Sequence, residues 1–394
     1  MTKITLSRRL AGLNAGGTDG WEVHARATQM ARAGRQVTFL TVGEHDSPPP
    51  DRILDAMDHA ARQGHTRYTP MLGQPELRAA VATHVADKTG VPTGPENVLI
   101  VPGAQAGLFT AHLALADPGD TGLIVDPYYA TYPGTLRAAG LIPRIVETTA
   151  ASDFMPTRAN LEARAAGART LLINTPNNPT GAVYDAKTLD GIAEVVCDHD
   201  LALISDEVYA AQVWDGAHLS PRAIPGLAER TLVVGSLSKS HAMTGFRAGW
   251  VVGPEPVITA MADIMINMTY GIAGFVQQAA LHALAQGAAM ETAIAAPFQR
   301  RRALALEILS RQQVIRVVQP RGAMYVMLDI RATGLTGVAF AEALLEAEAI
   351  AVMPGESFGR AAAGHVRVAL SVDDATFADA LTRLIAFAET CALP

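Results

Sequence analysis

The sequence predicts an α/β protein with a mostly parallel central sheet covered by helices and a smaller α+β domain. Three observations lead there. Short apolar runs alternate with helical patterns from about residue 51 to residue 280, a rhythm that needs a sheet covered on both faces. The notable polar residues fall where those runs end, beyond the carboxyl ends of the expected strands. The chain has 394 residues, 49% of them hydrophobic and 18% charged, enough for an ample core and for two domains.

Taken in order, Ser47-Pro48-Pro49-Pro50 breaks the chain, and a helix then starts with Asp51 as its expected N-cap. Strands are expected over 97–101, 122–125, 143–147, 170–174, 201–205, 231–235 and 249–252, each a short apolar run. Helices are expected between several of them, over 104–116, 131–139 and 186–198. From about residue 284 a long helical segment leads to strand patterns at 317–319, 324–329 and 365–369. The expected division is therefore a large domain over 46–283 and a small C-terminal domain over 284–394, to which residues 1–45 contribute.

Composition narrows the function. A net charge of −7 and the lack of any Lys/Arg-rich block argue against nucleic acid as a partner. Cys197 and Cys391 are too few for a disulfide framework and lack metal-ligand spacing, so they read as ordinary buried thiols and no metal site is expected. The first ten residues carry charges and no signal-like apolar stretch, and no run approaches the ~18 apolar residues of a membrane span. A cytoplasmic enzyme is the expectation.

The chemistry centres on Lys239, in Ser236-Leu237-Ser238-Lys239, with Arg247 eight positions on. Most lysines are solvated surface residues, but this one lies between apolar runs that read as buried strands. An amine there can form a Schiff base with an aldehyde while Ser236, Ser238 and Arg247 hold a dianionic phosphate; pyridoxal phosphate (PLP) carries both groups on one ring. Asp206 follows a buried strand and would supply the anion that keeps the ring nitrogen protonated, with Tyr209 donating to the ring's phenolic oxygen. Alone, Asp206 reads as a turn residue at a strand end; the Lys239 segment tips it to the cofactor role. In Asn174-Thr175-Pro176-Asn177-Asn178-Pro179-Thr180-Gly181, rigid prolines would fix Asn178 so that its amide reaches the same oxygen. Gly103-Ala104-Gln105 opens a helix, whose free backbone N–H groups suit a phosphate. Tyr128 or Tyr129 could stack on the ring, although isolated aromatics are more often core. Arg367, on a buried-looking strand, needs an anion: a substrate α-carboxylate or, more commonly for such residues, a protein carboxylate.

Together these blocks resemble the class I/II, fold-type I PLP-dependent aminotransferases, in order and over essentially the whole chain. The S-x-S-K and G-x-R-x-G signature is met by Ser236, Ser238, Lys239, Gly245, Arg247 and Gly249, the N-P-T-G block by Asn178–Gly181, and the D-x-x-Y pair by Asp206 and Tyr209. The resemblance implies the PLP-dependent transferase fold type I. It also implies that Tyr129, in the P-x-Y-x-x-Y motif of Pro127, Tyr129 and Tyr132, is the stacking residue. Tyr68 would reach the phosphate of a neighbouring subunit, and the enzyme would be a homodimer with shared active sites. Gly43 would lie near the substrate carboxylate and Arg367 would bind it. A narrower resemblance, carried by Ser236–Gly245, Met324–Met327, Trp21–His24 and Ala363–His365, is to the arginine–pyruvate transaminases. A cationic donor would want a carboxylate, for which Asp19, Glu22 and Glu44 are candidates. One departure stands at the entrance: the family often has Pro-Asp-Phe after the Gly-Glu pair, where this chain has His45-Asp46-Ser47.

The activity implied is transfer of an amino group from an L-amino acid, arginine among the candidates, to a 2-oxo acid such as pyruvate through a Lys239 imine with PLP. The alternative on the same scaffold is a PLP-dependent C–S β-lyase. A transcription regulator with an aminotransferase-like sensor domain would need a basic DNA-binding extension, which the first 50 residues do not supply.

Overall fold

Seven strands form the central sheet: β1 (Val98–Val101), β2 (Thr121–Asp126), β3 (Ile142–Glu147), β4 (Ala168–Asn174), β5 (Ala202–Asp206), β6 (Thr231–Ser236) and β7 (Gly249–Val252). The computed structural model describes residues 4–15 and 20–392. The strands lie in the order β1-β7-β6-β5-β4-β2-β3, and every pairing is parallel except the two made by β7. Their side chains are apolar on both faces. Val98, Ile100, Val233 and Trp250 pack into one cluster, and Leu99, Val101, Leu232, Val234 and Val251 into the cluster on the other face. Each fully buried aliphatic side chain of this kind contributes about 1.5–3 kcal/mol of transfer free energy.

The expected strands are all present, those over 249–252 and 365–369 with the expected bounds and the others with ends shifted by at most two residues. Helix Ala186–Asp198 has the expected bounds, and the Asp185 side chain caps it by accepting from the Thr188 N–H at 2.8 Å. Asp51 is a correction. Pro50 occupies the N-cap position without a side-chain hydrogen bond, and Asp51 is the first residue of helix Asp51–Arg62. Proline already sets the entering backbone, and the carboxylate still faces the positive helix start.

A second sheet is antiparallel, with β8 (Arg316–Val318), β9 (Tyr325–Asp329), β10 (Met353–Pro354) and β11 (His365–Ala369) in the order β10-β11-β9-β8. The 23-residue helix Gly287–Leu309 leads into it, and helix Asp374–Cys391 covers it. The N-terminal strand Thr38–Phe39 pairs in parallel with Ile350–Ala351, which brings residues 41–44 to the seam between the two sheets. On the other side of the seam, Arg321 and Gly322 donate backbone N–H bonds to the Gly181 carbonyl, both at 2.9 Å.

The thiols also differ from expectation. Cys197 is exposed and Cys391 half-buried, because both sit on outward positions of their helices. Among the described residues no helix is long and apolar enough to cross a membrane, and no cluster of His, Cys, Asp and Glu could hold a metal ion.

Candidate active site

The carboxyl ends of β1, β4, β5 and β6 open on a cavity of about 340 Å³ between the two sheets. Lys239, Asp206, Tyr209, Asn178, Ala104, Gln105, Tyr129, Ser236, Ser238, Arg247, Gly43 and Arg367 all line it. Of the residues expected at the site, Tyr68 lies elsewhere. It is 84% exposed and meets Tyr270 edge-on at 5.0 Å.

Register places the phosphate-type cradle. Gly249 at the start of β7 pairs with Val101 on one side and Ser236 on the other, so the Gly103 turn and the Ser236 turn meet there. A Cβ on Gly249 would stand 2.8 Å from the Gly235 carbonyl and 3.0 Å from the Ala104 nitrogen, which explains why no side chain is present. Gly103 has φ +81°, and a Cβ on it would fall 2.2 Å from the Arg247 guanidinium. Helix Ala104–Leu115 starts without a side-chain cap, leaving its first N–H groups directed at the cavity beside Arg247. The Gln105 side chain is held by its neighbours, its amide donating to Thr135 Oγ1 at 2.7 Å and its carbonyl oxygen accepting from the Thr131 hydroxyl at 3.1 Å. Ser236 is likewise committed locally. Its hydroxyl caps the short helix Leu237–Ser240 by accepting from the Ser238 N–H at 3.0 Å, and it donates to the Ala248 carbonyl or the Ser238 hydroxyl.

At the floor, Asp206 is buried at the end of β5. Its Oδ2 accepts from the Tyr132 hydroxyl at 2.7 Å and its Oδ1 from the Val208 N–H at 3.3 Å. Burial pushes the carboxyl up to about 6, with the Tyr132 bond opposing. It has no cationic partner among the described residues. Lys239 Nζ donates to the Gly43 carbonyl. Burial pulls the amine down to about 8; the Glu44 carboxylate opposes this, while Arg367 and Arg247 add to it.

Arg367 resolves one question left open by the sequence. It is 1% exposed, and no protein carboxylate pairs with it among the described residues. Its Nη1 donates to Asn178 Oδ1 at 2.7 Å and its Nη2 to the Thr41 carbonyl, while its buried Nε has no partner. The guanidinium lies between the rings of Tyr325 at 4.3 Å and Phe358 at 4.5 Å. A buried cation held only by neutral groups, at the wall of a cavity, is prepared for an external anion.

Two functional residues are hidden in the sequence. Tyr132 stands there only as the last position of a motif, yet it is the main partner of Asp206. Tyr325 joins the small sheet to the site. Its hydroxyl is 2.8 Å from that of Tyr209 and accepts from Asn178 Nδ2 at 3.4 Å. It also explains Gly43, where a Cβ would stand 1.9 Å from the Tyr325 hydroxyl. Of the three acidic candidates at the entrance, Glu44 lines the cavity, Glu22 lines the neighbouring groove, and Asp19 lies outside the described residues.

The donor set fits PLP. An amine at Lys239 suits its aldehyde, a helix start with Arg247 and Ser238 suits its phosphate, and a buried carboxylate with no cationic partner among the described residues, Asp206, suits a protonated ring nitrogen.

Comparison with known proteins agrees. A family model described as aminotransferase class I and II matches residues 35–384. The chain is 36% identical over 382 residues to an arginine–pyruvate transaminase of Pseudomonas aeruginosa, covering 96% of each. It is 38% identical over 385 residues to an aspartate/prephenate aminotransferase of Thermus thermophilus, covering 96% of this chain and 97% of that one. Among solved structures, the aspartate aminotransferase from Thermus thermophilus with maleate superposes with a TM-score of 0.91 at 35% identity. That match covers 98% of this chain and 100% of the other.

Proposed function

The chain belongs to the class I and II aminotransferases, PLP-dependent enzymes of fold type I, and from that premise we propose that it moves the amino group of L-arginine to pyruvate. The observation that carries the site assignment is Arg367, a buried guanidinium with no protein carboxylate, facing the same cavity as the Lys239 amine. The choice of arginine and pyruvate draws on the Pseudomonas aeruginosa relative.

In this reading Lys239 would be the attachment point for PLP, Asp206 the anion at the ring nitrogen, and Tyr209 and Asn178 the donors to the phenolic oxygen. Tyr129 would stack on the ring. Gly103, Ala104, Gln105, Ser236, Ser238 and Arg247 would hold the phosphate. When bound, PLP supplies a conjugated electron sink for charge developing at the donor's α-carbon. The protein's own groups do the rest. Arg367 grips the α-carboxylate through its remaining N–H donors and so orients the α-carbon toward Lys239. Once the donor's amine has taken its place on the cofactor, Lys239 Nζ would be free to take the α-proton and later return one. Its lowered pKa leaves a larger neutral fraction near physiological pH than an ordinary lysine has. The Gly43 carbonyl fixes where that nitrogen points. Tyr132 keeps Asp206 oriented and weighs against its protonation.

The protonation state gives a direct check. In cofactor-free protein Lys239 is charged below about pH 8 and neutral above it. Its acylation rate, followed by peptide mass, should therefore reach half-maximum near pH 8 rather than near the ordinary ~10.4. A half-maximum near 10 would contradict the burial argument.

We further propose a homodimer in which Tyr68 of one subunit reaches the site of the other. This reading is supported by the exposure of Tyr68 and Tyr270, which form an aromatic pair away from their own chain's cavity. The substrate assignment is tested by a coupled screen of amino donors, arginine included, against pyruvate and 2-oxoglutarate. Arginine with pyruvate should give the highest kcat/KM. Release of pyruvate, ammonia and a thiol from a cysteine conjugate, with no oxo-acid acceptor, would instead identify a lyase.

A further inference from the structure

We propose that Glu44 receives the cationic end of the amino donor's side chain and turns acidic donors away. This inference rests on the transaminase reading above and adds to it the residue that selects the substrate.

A census of charge along the cavity wall comes first. Three cations line it, and all are committed. Arg247 stands at the helix start, Lys239 at the reacting carbon and Arg367 at the α-carboxylate. Among the described residues, two carboxylates line it. Asp206 is buried at the floor and bonded to Tyr132. Glu44 is exposed at the rim, where it accepts a hydrogen bond from the neutral Thr244 hydroxyl at 2.6 Å, and no ion pair holds it among the described residues. With the three cations assigned to the cofactor and the α-carboxylate, Glu44 is the uncommitted charge at the mouth among the described lining residues, and it is negative.

Position along the chain gives the second argument. Residues 41–44 border the site, turning so that the Glu44 N–H donates to the Val42 carbonyl at 3.1 Å. The Thr41 carbonyl holds Arg367, the Gly43 carbonyl holds Lys239 Nζ, and Glu44 follows. Glu44 shares the cavity wall with Arg367 and Lys239 and stands close enough to Lys239 to act on its charge, so a donor gripped by Arg367 with its α-carbon at Lys239 has that carboxylate within reach of its side chain. Three residues of backbone span at most about 10 Å even when extended, so an amino acid whose charge sits four or five bonds beyond the α-carbon is long enough to cover the distance. A distal guanidinium or ammonium reaches the Glu44 carboxylate there. The distal carboxylate of an acidic donor, two or three bonds beyond the α-carbon, feels the repulsion of the same charge and finds no free cation among the described lining residues.

The test measures binding as well as turnover. Calorimetry on PLP-loaded protein compares 5-guanidinopentanoate, hexanoate and adipate. These share one carboxylate for Arg367, lack the α-amine, and differ at the distal end. Wild type should bind 5-guanidinopentanoate about tenfold or more tighter than hexanoate, and adipate weakest. Glu44→Gln should abolish the preference between the first two, and Glu44→Lys should reverse the order in favour of adipate. Because each result is a ratio within one variant, general damage to the fold cancels. A wild-type preference for adipate, or an unchanged ratio in Glu44→Gln, overturns the proposal. Failure of the wild type to transaminate any amino acid would sink the functional reading instead, and the binding ratios register separately from it.

Discussion

Lys239→Ala lowers turnover by about 10⁴-fold or more, the scale expected when one side chain serves as both attachment point and proton carrier. The loss corresponds to roughly 5.5 kcal/mol of barrier. The variant should still fold and still take up PLP. The Gly103 turn, the start of helix Ala104–Leu115, Arg247 and Asp206 do not depend on the lysine side chain for their positions. Alanine also suits the helical turn Leu237–Ser240. Stopped-flow and steady-state rates on the PLP-loaded variant, with Lys187→Ala as the control, make the comparison. Retained turnover in Lys239→Ala would remove the base from the mechanism.

Arg367→Lys should lower kcat/KM for amino acid donors by about 100-fold, chiefly through KM. Lysine keeps the charge but loses the planar fork that bonds Asn178 and the Thr41 carbonyl while still presenting donors to a carboxylate. It also loses the flat group that fits between the rings of Tyr325 and Phe358. The Kd of hexanoate should rise in parallel, which separates lost carboxylate recognition from a general loss of activity. An unchanged Kd would mean that the α-carboxylate sits elsewhere.

Much of this site was legible in the sequence because its parts lie at strand ends. Asn174, Asp206 and Ser236 close β4, β5 and β6, and neighbouring parallel strands carry them to one edge without further information. The apolar runs 231–235 and 249–252 flagged Lys239 as enclosed, and both became central strands. What sequence hid is contact across large separations. Tyr325 sits between Met324 and Val326 and looks like ordinary core, and only folding brings it to Tyr209, 116 residues away. Tyr132 meets Asp206 across 74 residues for the same reason. Cys197 misled because cysteine is usually buried, whereas this one falls on the outward side of an amphipathic helix. Choosing among Asp19, Glu22 and Glu44 likewise required knowing which segment borders the cavity, since all three have the same chemistry.

The central claim is that one amine, Lys239, carries the cofactor. The chain has only four lysines, Lys3, Lys88, Lys187 and Lys239, which makes a decisive labelling experiment simple. Protein saturated with PLP is reduced with borohydride, digested and mapped by mass. The account predicts one phosphopyridoxyl group per chain, on the peptide containing Lys239. No fixed label, or label spread over the other lysines, would contradict it.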